Sequence, residues 1–121
     1  MNLLDSNIVI AAASGSDAVL DALVVESPFA VSVVTRIEVL GFHRLTPEDN
    51  VDLQTFLVGG QEFPLDEAVV ASAIRLRQER RISLGDAIIA ATALVHNLTL
   101  LTRNVDDFKH VSGLKFKNPF A

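Results

Sequence analysis

The stretch from Ser83 to Asn104, SLGDAIIAATALVHNLTLLTRN, decides the fold. From Leu84 to His96 nearly every residue is apolar and none is Pro, which predicts a helix too long to be a strand and covered on most sides. Ser83 is placed to cap its start, and Asn97 is a stop signal at its end. Leu98 to Thr102 then reads as a buried strand, followed by polar turn residues. A buried helix running into a buried strand belongs to α/β architecture, in which helices cover a parallel sheet.

Working outward, the remaining segments fit the same scheme. Leu3-Leu4 is a short strand ending in Asp5, with helical sequence at 8–13 and 17–25. Residues 29–34 (FAVSVV) follow Pro28 and form a second strand. Thr35 opens a helix to about Leu45, and Thr46-Pro47 opens the next. Residues 62–65 are a weak strand, 66–81 a helix with Val69, Val70, Ala73, Ile74 and Arg77 on neighbouring turns, and 114–117 a short strand. With 121 residues and no linker or repeat, the expectation is one domain over 1–121: three layers, with a mainly parallel sheet between helices.

Composition narrows the chemistry. The absence of cysteine removes disulfides, thiolate metal sites and thiol nucleophiles. No run approaches the length of a membrane span, and the N-terminus lacks the basic start of a signal peptide, so a cytoplasmic protein is expected. Mean hydropathy is +0.38, high for 13.1 kDa, which points to a subunit interface and a homodimer. The net charge of −5 argues at first against a nucleic-acid ligand. Setting aside Asp5, Glu38, Asp86 and Asp107 weakens the objection, because 15 acidic residues become 11, against 10 basic ones, and the charge balance decides neither way.

Those acids lie where α/β sheets place their sites, at the carboxyl ends of strands. Asp5 ends the first strand. Glu38 is expected in the first turn after the second strand, Asp86 in the first turn of the apolar helix, and Asn104, Asp106 and Asp107 after the strand 98–102. Each has a simpler reading as a cap: Thr35-x-x-Glu38 is a capping box, and Ser83-x-x-Asp86 is nearly one. Together, clustered carboxylates need a compensating charge, and all-oxygen ligation selects Mg²⁺ or Mn²⁺.

Four segments then resemble one family in order. Leu4-Asp5-Ser6-Asn7, Ser32-Val33-Val34-Thr35-Arg36-Ile37-Glu38, Leu84-Gly85-Asp86-Ala87-Ile88-Ile89-Ala90-Ala91 and Leu101-Thr102-Arg103-Asn104 through Asp107-Phe108 are similar to the motifs of PIN-domain ribonucleases, and most of all to VapC-type toxins of toxin–antitoxin pairs. The resemblance implies RNA hydrolysis with Mg²⁺ or Mn²⁺, a homodimer, and a VapB-type antitoxin whose C-terminal segment occupies the active-site groove. It implies Asp5, Glu38 and Asp86 as metal ligands with Asn104 nearest as the fourth, and Asp107 as a supporting catalytic acid. Asp106 is expected to point to solvent.

Ser6, Thr35 and Thr102 are candidate hydroxyls orienting the carboxylates, or simple caps. Arg103 and Arg36 are candidate RNA contacts. Arg75, Arg77, Arg80 and Arg81 form a basic run on one helix, which is equally a solvated face. His43, His96 and His110 are too far apart in sequence to suggest a triad and read as surface or helix-end residues. Two alternatives stand beside the nuclease. One is a catalytically silent binding module of the same fold. The other is a haloacid-dehalogenase-like phosphohydrolase, whose Asp-x-Asp is spoiled here by Asn7.

Overall fold

The computed structural model describes residues 1–15 and 17–120. Its strands are β1 (Asn2–Leu4), β2 (Phe29–Ser32), β3 (Gln61–Phe63), β4 (Thr99–Leu101) and β5 (Lys115–Lys117). They form one sheet in the order β3-β2-β1-β4-β5, and every neighbouring pair is parallel. The helices are α1 (Ser6–Ala13), α2 (Ala18–Glu26), α3 (Val33–Leu40), α4 (Pro47–Val58), α5 (Glu67–Glu79), α6 (Leu84–His96) and α7 (Val105–Phe108).

Alternation along the three central strands makes the layers. Leu3, Ala30 and Leu100 join one buried cluster, with Val69 and Leu76 of α5, Ala87 and Ile89 of α6, and Phe108 of α7. Their chain neighbours Leu4, Val31 and Leu101 point into the other cluster, with Ile8 and Val9 of α1, Leu20 of α2, and Leu53 of α4. Both faces of the sheet are therefore covered, as parallel sheets require. The apolar helix α6 is buried from Ala87 through Ala93. It is capped by Ser83 and ends at Asn97, which takes the left-handed conformation (φ 54°).

The chain winds from β1 to β2 and β3 on one side, then crosses to β4 and β5 on the other. The direction of winding reverses between β1 and β4, and a crevice opens there at the strands' carboxyl ends.

Some expectations need correction. The second strand stops at Ser32, whose hydroxyl accepts from the Val34 N–H at 3.1 Å and starts α3 two residues early. Val33 and Val34, residues suited to strands, thus form a helical turn because the cap overrides their preference. The Thr35–Glu38 capping box does not form, and Glu38 falls in the second turn. Helix α3 ends at Leu40 rather than about Leu45, with the Gly41 N–H on the Ile37 carbonyl at 2.8 Å.

On α5 the buried stripe is Val69, Ser72, Ala73 and Leu76, while Ile74 is exposed, so the expected face is turned slightly. Arg80 and Arg81 lie beyond the helix. The short α7 was not expected, and β3 lies at 61–63 rather than 62–65. No single described helix is long and apolar enough to cross a membrane.

Candidate functional site

Strand β1 delivers Asp5 to the crevice. Its N–H donates to the Leu101 carbonyl at 3.0 Å, continuing the β1–β4 ladder one step past the strand. The side chain is only 6% exposed, and both of its oxygens are engaged. Oδ1 accepts from the Ser6 N–H at 2.8 Å and caps α1, while Oδ2 accepts from the Thr102 hydroxyl at 2.7 Å. Thr102 is fully buried, and its oxygen also accepts from the Asn104 N–H at 2.9 Å. One hydroxyl thereby sets both the carboxylate and the turn leaving β4.

Glu38 reaches the crevice from α3. Its Oε1 accepts from the Ser6 hydroxyl at 2.9 Å, so Ser6 joins the first acid to the second. Its Oε2 faces Gly85 of α6: a methyl placed there would sit 3.5 Å away. A side chain as small as alanine would therefore fit here in ordinary contact with Glu38.

Asp86 enters on the first turn of α6, with its N–H on the Ser83 hydroxyl at 3.2 Å. Burial pushes its carboxyl above the ordinary aspartate range, Ser83 pulls the other way, and the charges of Asp5, Asp107 and Glu38 push it up further. All three of those acids are thus close enough to be felt at Asp86. A helix N-terminus favours an anion at that position.

Among the described residues, no three acidic or histidine side chains stand close enough to grip one ion as placed. The four carboxylates share a field, not yet a single point. Asp107 is brought to the field by α7. Asn104 is exposed at the head of α7, its side chain makes no capping bond, and it is tied to the site through its backbone. Asp106 is turned away, its side chain 89% exposed and paired with Lys109 at 3.1 Å.

Three expected helpers are placed elsewhere. Thr35 is fully buried, and its hydroxyl has no hydrogen-bond partner among the described residues, so it does not orient Glu38. Arg36 forms an ion pair with Glu62 of β3, and the Arg103 guanidinium lies 4.0 Å over the Phe120 ring. Neither cation is unengaged. His43 and His110 are exposed, as expected, and His96 is half-buried at the end of α6 with its ring 4.0 Å from Phe63.

Two features had no signal in the sequence, because each is assembled from distant segments. An apolar groove of about 280 Å³ opens beside Glu38, lined by Ile10, Val39 and Phe42, with Asp49 and Asp52 at its rim. A polar cleft of about 390 Å³ runs past Asp86 and Asp107 to Arg80, Arg81 and His110.

The model of the PIN domain matches residues 3–114. Ribonuclease VapC10 of Mycobacterium tuberculosis is 36% identical across 100% of this chain and 94% of that protein. A toxin-antitoxin complex from Klebsiella pneumoniae contains a chain 28% identical to this one, with a TM-score of 0.81 and 98% of each chain covered. The DNA-bound VapBC of Salmonella typhimurium superposes with a TM-score of 0.88 over 98% of this chain and 97% of that one, and at 19% identity it speaks for the fold alone. The matched span contains every acid placed above, and the two solved structures share this chain's fold over almost its whole length. The chain belongs to the PIN domain family.

Proposed function

We propose that this protein is a metal-dependent endoribonuclease, the toxin of a toxin–antitoxin pair. The observation that carries the reading is that the charges of Asp5, Glu38 and Asp107 are all felt at Asp86, with Asp5 and Glu38 held by the hydroxyls of Thr102 and Ser6. The full-length likeness to a ribonuclease supports the substrate class.

The donors fit a hard divalent cation: all are oxygens, and the mutual repulsion felt at Asp86 is what a cation relieves. Asp5, Glu38 and Asp86 would hold Mg²⁺ or Mn²⁺, with Asp107 supporting and Asn104 at the edge. When bound, such an ion acts as a Lewis acid on the phosphodiester and lowers the pKa of a coordinated water. The chain's own contribution is positional. Thr102 and the Ser6 N–H hold the Asp5 carboxylate, and the Ser6 hydroxyl holds Glu38. With no cysteine in the chain a thiol nucleophile is excluded, and water is the attacking group in this reading.

The groove beside Glu38 suits an antitoxin segment, apolar to fill the space between Ile10 and Phe42 and basic to meet Asp49 and Asp52. The protein acts in the cytoplasm, where RNA and antitoxin are found, and it works as a homodimer. In the test, purified protein cleaves RNA with Mg²⁺ or Mn²⁺ and stops in EDTA. Asp5→Asn and Asp86→Asn abolish cleavage with the circular dichroism spectrum intact. Full activity in EDTA would overturn the metal reading.

A further inference from the structure

The four acids create a problem that the site does not solve by itself. A polyanion approaching them is repelled until cations nearby offset the field. Arg36 and Arg103 are engaged by Glu62 and Phe120. Arg75 pairs with Glu79, and Arg77 donates to the Ile82 carbonyl. Arg80 and Arg81 differ. Both are exposed just past α5, and among the described residues neither guanidinium has an ion pair, hydrogen bond or ring contact. Both line the polar cleft that also holds Asp86, Asp106 and Asp107, so they are the cations that face its acids.

We infer that this cleft is the track of the RNA strand beside the nuclease site, with Arg80 and Arg81 taking the phosphates that neighbour the one being cleaved. The inference rests on the ribonuclease reading above. The cleft has a volume of about 390 Å³ and is lined mainly by polar and charged residues, which suits a phosphodiester backbone. Guanidinium groups suit it because their flat array of donors matches phosphate oxygens in pairs. Contacts of this kind position the backbone without reading bases. The two arginines therefore set affinity and register, and base choice lies elsewhere.

The test is a fluorescence-anisotropy titration of a short labelled single-stranded RNA, in an Asp5→Asn background so that nothing is cut. Replacing both arginines by Ala should weaken binding about tenfold. It should also flatten the plot of log affinity against log salt by about 1.4, two phosphate contacts at about 0.7 each. Lysines at both positions should keep the slope, and Arg75→Ala, a paired arginine on α5, should change neither quantity. Unchanged affinity and slope in the double Ala variant would overturn the inference and leave the two arginines to a protein partner. An equal loss from Arg75→Ala would also overturn it, since any surface charge would then do. If the wild-type chain binds with this arginine-dependent slope yet never cleaves with Mg²⁺ or Mn²⁺, the track stands and the nuclease reading falls.

Discussion

Asp86 is held above its ordinary pKa by burial first and by three neighbouring acids after it. A carboxyl whose folded pKa is raised favours the fold below the ordinary aspartate range, and that advantage is lost as pH rises through the folded value. Ionised at neutral pH, Asp86 weakens the metal-free protein. Asp86→Asn should therefore melt at a higher temperature than wild type at pH 7 while losing cleavage, and the gap should close as pH falls to the ordinary aspartate range. Thermal melts across that interval check it, and a lower melting temperature at pH 7 would contradict it. Thr102 makes the converse prediction. Thr102→Val keeps the shape but leaves Asp5 Oδ2 and the Asn104 N–H unpaired, at about 1–3 kcal/mol. Cleavage should fall roughly 10–100-fold, and Thr102→Ser should recover most of it.

The elements of this fold are joined by short polar signals. Ser32, Asp66 and Ser83 each accept a backbone N–H at a helix start, and Asp5 does so while ending a strand. The cap of α6 could be read from the chain, whereas Asp66 reads there as the first residue of its helix and caps it instead. At α3 the run Val31-Ser32-Val33-Val34 reads as strand throughout, and only the position of the Ser32 hydroxyl shows that helix wins. Thr35 consequently turned inward instead of capping. The join between α4 and β3 carries a further test. Gly60 lies against the ring of Phe29, which itself stacks on Phe56 at a centroid distance of 4.7 Å. A Cβ on Gly60 would meet that ring at 2.3 Å. Gly60→Ala should cost about 1–3 kcal/mol, because the ring cannot retreat without disturbing its stack. Urea denaturation measures it, and an unchanged midpoint would show that the ring yields freely.

For the whole molecule, alternation and composition were enough to foresee a parallel sheet with helices on both faces. The strand-end rule put Asp5 and Glu38 near enough to Asp86 for their charges to be felt there, without bringing three acids round one point. What could not be read are relations between distant segments: Gly85 against Glu38, the cleft from Asp86 to Arg80, and the groove from Ile10 to Phe42. Surface hydrophobicity belongs to this scale too. Val25 and Val58 are 84% and 85% exposed, and Ile37 and Leu84 are 64% and 63% exposed beside Glu38 and Gly85. Such a surface should close on a second copy, so light scattering should give about twice 13.1 kDa, whereas a monomer at micromolar concentration would exclude the dimer. The hydrogen bond from Thr102 to Asp5 spans 97 positions of the chain. During synthesis Asp5 is made long before Thr102, so its Oδ1 can find the neighbouring Ser6 N–H at once while its Oδ2 lacks its partner until β4 has been made and has closed on β1.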